Sequence, residues 1–321
     1  MIPRGALLPS TREPAEFARR LDDLGYGRLW VGELWGADPF VQLTKAADVD
    51  IGLATAVVNV YSRTPAAIAQ AAASVQETAA GDVALGLGTS TPTAIESIHG
   101  LEFEQPIRRL HETSALVGEL LASESRVEYE GDLVATHGTP GFGVDVPIYT
   151  AALGAAARRA TGRVADGWLP HNVPFDRLGE AFETIADTAR DAGRDPDAIA
   201  VTPYVPCAVS EDEGAARDAI RGHLAYYVGS GRGYQNAVAM SYPDEADQIA
   251  DAWNTGDRDR AREFVSAAMI DDLGIAGTPS TVQQRFDDAI PADVVDSVCV
   301  VVPENAPDLV DPTIQALAPR S

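Results

Sequence analysis

The stretch Val146-Pro-Ile-Tyr-Thr-Ala-Ala-Leu-Gly-Ala-Ala-Ala157 runs from an apolar segment of strand length, through Gly154, into a row of alanines. A short apolar run bounded by turn residues reads as a strand buried on both faces, and the alanines beyond it open a helix. Strands of that kind belong to parallel sheets covered by helices. The junction at Gly154 has a second meaning. The first turn of a helix holds N–H groups without intrahelical partners and roughly half a positive charge, so it can hold phosphate without any Lys or Arg. An ordinary strand-to-helix turn would look the same, and the other strand ends decide between the two.

The same alternation covers the chain on both sides of this stretch. Strands are expected over 2–8, 28–31, 51–58, 83–87, 146–152, 167–169, 201–209 and 294–302. Helical spacing predicts helices over 14–24, 40–47, 65–78, 106–122, 155–164, 177–192, 279–289 and 312–317. Strands and helices in this order predict an α/β protein, a (β/α)8 TIM barrel, whose active site would lie at the C-terminal strand ends. The whole chain, 1–321, reads as a single domain with insertions over about 123–145 and 211–277. The first insertion reads as a hairpin and loop. The second, lying between strands seven and eight, is too long for one crossover. It reads as extra helices with Tyr226, Tyr227, Tyr234 and Tyr242 around Gly229-Ser-Gly-Arg-Gly233, a lid or contact surface.

Composition narrows the function. Hydrophobic residues make up 45% of the chain and charged ones 22%, which is globular composition. The net charge is −24, with Lys45 the sole lysine. So acidic a surface repels nucleic acid and anionic membrane, and neither is expected as a partner. A lysine-poor, Asp-rich surface resembles proteins of salt-loving cells, where screening suppresses carboxylate repulsion. The expected consequence is a thermal midpoint that rises between low-salt buffer and molar NaCl, measured by circular dichroism; a salt-independent midpoint would contradict it. No apolar run approaches the roughly 20 residues of a membrane span. The N-terminus lacks a cleavable signal pattern, so a cytoplasmic location is expected. Cys207 and Cys299 lie in β-branched runs and read as buried free thiols. No Cys-x-x-Cys, H-E-x-x-H or carboxylate cluster has ligand spacing, so no metal is expected.

The strand ends are rich in glycine and small residues: Gly86-Leu-Gly-Thr-Ser-Thr91, Ala152-Leu-Gly154 and Pro170-His-Asn172. Such a rim suits a flat conjugated ring pressed on backbone, with a phosphate tail at the helix after strand five. Glu33 ends strand two beside Trp35, and two readings stand for it: a partly desolvated proton donor, or a carboxylate hydrogen-bonded to backbone. His171 ends strand six and would orient substrate or cofactor, or else sit in a surface loop. Glu96 and His99 are three residues apart on an expected helix and would share a face. Asp166 reads as a local cap. Trp35, Tyr61, Trp168 and Tyr204 read as core, with Trp35 and Tyr61 at the open end.

Six stretches carry a family resemblance: Leu24-Gly-Tyr-Gly-Arg-Leu-Trp-Val31, the run from Ile51 to Pro65, Leu85-Gly-Leu-Gly-Thr-Ser90, Pro147-Ile-Tyr-Thr-Ala-Ala-Leu-Gly154, Val164-Ala-Asp-Gly-Trp168 and Leu273-Gly-Ile-Ala-Gly-Thr-Pro279. In this order and spacing the chain resembles the bacterial luciferase-like barrel superfamily, in the coenzyme F420-dependent branch that includes methylene-tetrahydromethanopterin reductase. The resemblance implies hydride transfer between the deazaflavin and an organic small-molecule substrate, at a CH–NH or CH–OH carbon. It places a cis peptide bulge behind the ring at Ala56-Val57. Asn59, Gly88 and Thr89 would line the ring or ribityl chain, and Ala152, Leu153, Gly154 and Ala155 would hold the phosphate. Arg158 would add a charge contact or lie solvated on the outer helix. FMN with oxygen, as in a luciferase-like monooxygenase, is the alternative cofactor reading, and a non-catalytic cofactor-binding barrel is a third. A homodimer or higher homo-oligomer is implied, with the small-residue face of 66–80 as one contact. The chain departs from the family twice. Gly5-Ala-Leu-Leu8 is apolar where pterin reductases have an acidic residue, and Glu33-Leu34 stands where the sugar-phosphate branch has Asp-His.

Overall fold

A computed structural model describes residues 2–33 and 36–319. Leu34 and Trp35, which the sequence puts at the mouth of the barrel, lie outside the described residues. The first half of the chain runs β1 (Arg4–Leu7), α1 (Pro14–Asp23), β2 (Arg28–Val31), α2 (Pro39–Lys45), β3 (Gly52–Thr55), β4 (Val58–Asn59), α3 (Pro65–Thr78), β5 (Val83–Gly88), α4 (Pro92–Ser97) and α5 (Pro106–Ala122). A hairpin of β6 (Arg126–Glu130) and β7 (Ala135–Pro140) follows, then β8 (Ile148–Ala151), α6 (Ala155–Val164), β9 (Gly167–Trp168), α7 (Leu178–Asp191), β10 (Ala200–Val201) and β11 (Tyr204–Val209). The last part runs α8 (Glu213–Ser230), α9 (Arg232–Val238), α10 (Pro243–Asn254), α11 (Arg258–Glu263), α12 (Ala267–Leu273), β12 (Ile275–Gly277), α13 (Val282–Ala289), β13 (Val298–Val301) and α14 (Val310–Ala316).

The main sheet is parallel, in the order β10, β9, β8, β5, β3, β2, β1, β13, β11, β12, with β4 on β5. Only Thr202 and Pro203 separate β10 from β11, and a bridge from His171 to Tyr204 joins the two flanks there. The sheet therefore curls into a barrel. Pro203 has no N–H to give to a ladder, which accounts for the break in the seventh stave.

Alternation along the strands sorts the side chains. Leu29, Leu53, Val83, Leu85, Ile148 and Val300 belong to the cluster that includes the helices, whereas Trp30, Ala54, Ala84, Tyr149, Leu169, Tyr204 and Cys299 fill the barrel itself. Glycine makes room for the large rings: a Cβ on Gly167 would lie 2.2 Å from the Tyr149 ring.

Four expectations need correction. The third stave is not continuous over 51–58, because the chain turns at Ala56-Val57 before β4. The seventh breaks at Thr202-Pro203. The eighth is limited to β13, since Val294 and Val295 both turn back onto the carbonyl of Pro291 at 3.1 and 3.0 Å. Finally, 211–277 contains not only helices but the parallel strand β12, paired with β11 from Cys207↔Ile275 to Val209↔Gly277. No helix among the described residues is long and apolar enough to cross a membrane.

Candidate active site at the barrel mouth

The third and fourth staves meet through glycine. The Ala56–Val57 peptide is cis. A Cβ on Gly88 would lie 2.6 Å from Val57 Cγ2, and one on Gly86 would lie 2.2 Å from the Thr55 carbonyl oxygen. The Thr55 hydroxyl donates to Gly86 O at 2.9 Å and accepts from Gly86 N at 2.8 Å, replacing ladder bonds where the strands diverge. Val57 and Thr89 stay half-exposed at this rim.

Asn59 is fixed from every side. Glu33 Oε2 accepts from both Asn59 N and Nδ2 at 2.7 Å, and Asn59 Oδ1 accepts from the N–H groups of Tyr61 and Ser62 at 2.9 and 2.8 Å. Arg63 pairs with Glu33 Oε1 and, at 2.5 Å, with Asp38. Both oxygens of Glu33 thus accept hydrogen bonds. Of the two readings offered for this residue, the geometry is that of a carboxylate bonded to backbone rather than of a proton donor. His99 lies past the end of α4 with its Nε2 3.4 Å from Asn59 Nδ2, so it does not share a helix face with Glu96. Arg63, like Asp38, is a member of this network that the sequence did not single out. Its partner is 30 positions away, and only the closure of β2 against β3 brings them together.

At the fifth stave, Ala152 is buried, Leu153 half-buried, and Gly154 and Ala155 exposed. Helices α2, α3 and α4 begin with a side chain of Asp38, Thr64 or Thr91 accepting from backbone N–H groups. Helix α6 begins at Gly154 with no such cap, and a Cβ there would meet nothing within 4 Å among the described residues. The N–H groups of its first turn therefore receive no side-chain acceptor from the N-cap residue. The Trp168 indole donates to the Ala152 carbonyl at 2.7 Å, pinning the turn from beneath. Asp166 accepts from Ile148 N at 2.9 Å and from Arg194, a local anchor as expected. Arg158 donates to the Ala181 carbonyl of α7 at 3.2 Å, so its charge is directed at a neighbouring helix rather than left solvated.

His171 is buried, not in a surface loop. Its Nε2 lies 3.0 Å from Nε2 of His223 on α8, a residue with no signature in the sequence because α8 is far along the chain. Burial pushes the His171 imidazole well down and His223 down to about 3, while Tyr234 is pushed up to about 12. Groups neutral in the folded chain but protonated near pH 6.5 when unfolded make stability fall as pH drops below about 6.5, because the unfolded state then binds more protons. Denaturation midpoints between about pH 7 and 5 are expected to fall, and His223→Gln to flatten that slope. An identical slope in the variant would contradict this burial.

Gly231 and Gly233, at the start of α9, lie 3.8 Å from Thr91 and 3.5 Å from Leu153, measured from the Cβ each would carry. The segment after β11 therefore roofs the tips of β5 and β8. A separate hollow of about 570 Å³ lies outside the barrel between α5, the hairpin and α6. Its charged groups are largely paired with one another, as in Arg108 with Asp132. Among the described residues no group of His, Cys, Asp and Glu has the arrangement of a metal site.

The chain is 29% identical over 285 residues to 5,10-methylenetetrahydromethanopterin reductase of Methanolobus tindarius, covering 86% of each. It is 27% identical over 297 residues to a Mycobacterium tuberculosis protein provisionally named a coenzyme F420-dependent oxidoreductase, covering 85% of this chain and 86% of the other. Among solved structures, the coenzyme F420-dependent tetrahydromethanopterin reductase of Methanopyrus kandleri superposes with a TM-score of 0.81 at 25% identity, over 99% of this chain and 97% of that one. The profile of the family described as luciferase-like monooxygenase matches residues 3–295, and the chain belongs to that family.

Proposed function

We propose that this chain is an oxidoreductase that binds coenzyme F420 at the tips of β4, β5 and β8 and transfers hydride between it and a small organic substrate at a CH–NH or CH–OH carbon. The observation that carries this reading is the start of α6: exposed, uncapped and beside a rim of glycine. The residues fit the group on structural grounds. Gly154 offers unfilled space at a helix N-terminus of ten residues, where phosphate is held by backbone N–H groups and the helix dipole. The names of the relatives point to the same cofactor.

In this reading Gly154 and Ala155 hold the phosphate, with Ala152 and Leu153 shaping the turn. Val57, Ala56, Asn59, Gly88 and Thr89 form the bed for the ring and ribityl chain. F420, when bound, accepts or donates a hydride at its deazaflavin ring. The protein supplies alignment and exclusion of water. Trp168 holds the Ala152 carbonyl, Glu33 and Arg63 hold Asn59, and the α8–α9 segment covers the tips.

The test is a fluorescence titration of purified protein with F420, run in parallel with FMN, in molar NaCl. Saturable binding of F420 and its reduction on adding an alcohol or amine substrate are expected. No binding of F420 would overturn the proposal, and oxygen uptake with reduced FMN would assign a monooxygenase in its place.

A further inference from the structure

His171 sits in a cage of four rings. Tyr204 stacks on it with centroids 5.2 Å apart, Tyr227 and Tyr234 approach edge-on at 4.4 and 5.4 Å, and His223 completes the cage at 5.2 Å. The facing Nε2 atoms of His171 and His223 are 3.0 Å apart. A bond between two neutral imidazole nitrogens needs one N–H and one lone pair, so the rings must hold opposite tautomers, one protonated at Nε2 and the other at Nδ1. Among the described residues neither Nδ1 takes part in a hydrogen bond. The pair therefore has an N–H at one end, a lone pair at the other and a hydrogen bond between them.

The next residue adds an independent observation. Asn172 is 3% exposed, and among the described residues neither its Nδ2 nor its Oδ1 finds a partner. It is held with φ at 57°, in the left-handed region, directly after His171. A buried amide without partners is costly to desolvate, and such groups call for a ligand or water that completes them. The whole cluster belongs to the barrel mouth, since Tyr234 and Gly231 share the first turn of α9, whose start lies against Thr91 and Leu153.

We propose that His171 and His223 relay a proton to the oxygen of an uncharged carbonyl substrate, or from its alcohol in reverse, with Asn172 binding that oxygen. The proposal rests on F420-dependent hydride transfer and names its substrate class. In the reducing direction the carbonyl carbon gains a hydride, with its electron pair, from the reduced deazaflavin. The C=O π pair forms an O–H bond with the proton of the Nδ1–H. The Nε2–H of the other ring crosses to the vacated ring, and that other ring takes a proton from solvent at its own Nδ1. One hydride and one proton are consumed, and both imidazoles end neutral with their tautomers exchanged. A cage of rings uncharged at neutral pH disfavours an ionic substrate at this point. A CH–NH donor would present nitrogen rather than oxygen beside the reacting carbon.

Two measurements test this. In the cofactor-free protein, nitrogen-15 NMR of the five histidines, with His223→Gln used for assignment, is expected to show one member of the pair protonated at Nε2 and the other at Nδ1. The same tautomer at both rings would overturn the relay. In the second, F420 reduction is followed with a chain-length series of secondary alcohols. His223→Gln and His223→Phe are expected to lower kcat about 100-fold, the scale of general acid–base catalysis, while KM and F420 affinity stay within a factor of about 3. Unchanged kcat in a folded variant would overturn the relay, and no turnover of any secondary alcohol or ketone by the unmodified protein would overturn the substrate class. Failure of the unmodified protein to bind F420 would instead overturn the cofactor assignment, leaving the tautomer result to stand or fall separately.

Discussion

Gly154→Asp is expected to weaken F420 binding by about 100-fold, near 2.7 kcal/mol, while leaving the fold as stable as before or a few tenths of a kcal/mol more so. The opposite signs follow from one position. Gly154 is the N-cap of α6 with φ −82° and ψ 156°, a conformation open to any L-residue, and a Cβ there meets nothing within 4 Å among the described residues. An aspartate placed there accepts from the N–H groups of the first turn, as Asp38 does at the start of α2. Those same N–H groups are the ones proposed to hold phosphate. The new carboxylate therefore competes for the donors and adds like-charge repulsion; hydrogen bonds to charged groups are worth roughly 1.5–3 kcal/mol each. Gly154→Ala, which adds neither charge nor acceptor, should bind F420 as the unmodified chain does. Calorimetric titration reads the affinity and thermal melting the stability. Unchanged affinity in Gly154→Asp would show that the phosphate is held elsewhere.

Arg4→Ala is expected to destabilise the protein by roughly 2–4 kcal/mol, because two buried neutral acceptors are left without a donor at about 1–3 kcal/mol each. The Arg4 side chain is 1% exposed. It donates to Gln283 Oε1 at 3.0 Å and to the Leu317 carbonyl at 2.8 Å, pairs with Asp287 at 3.5 Å, and lies 3.8 Å over the Phe286 ring. These partners tie the first stave to α13 and to the C-terminal end of the chain, so their loss opens the seam where β1 meets β13. Lysine lacks the planar fork and should recover only part of the loss. Urea denaturation measures the change, and a loss under about 1 kcal/mol would mean that the surrounding groups find water instead. F420 affinity should not follow, because Arg4 lies at the opposite end of the strand from the mouth.

The order of strands and helices was legible because its signals are local: apolar runs of strand length, proline after Asp38, Thr64 and Thr91, and Gly25 after α1. Helices α3, α5 and α6 fall where the spacing puts them. What escaped was set by contacts distant in sequence. Pro203 is a local mark of the break within Val201 to Val209, but nothing local announces that Ile275–Gly277 pairs with β11. The same holds for the mouth. Asn59 and Gly154 could be found from their place after a strand, whereas Arg63 and His223 act through partners 30 and 52 positions away. Asp296 shows how such contacts shorten an element: its carboxylate accepts from Val201 N at 2.7 Å, holding the chain off the ladder before β13 begins. Glu33 was visible as a strand-end carboxylate, but the role suited to it depended on Arg63.

Diffraction from crystals soaked with F420 in high salt locates the phosphate and the ring. Density for a phosphate is expected at the N–H groups that open α6, with the tricyclic ring over Val57 and Gly88 and beneath the α8–α9 segment. Phosphate density at the outer hollow beside Arg108 and Arg163, with the mouth left to side chains, would contradict that placement.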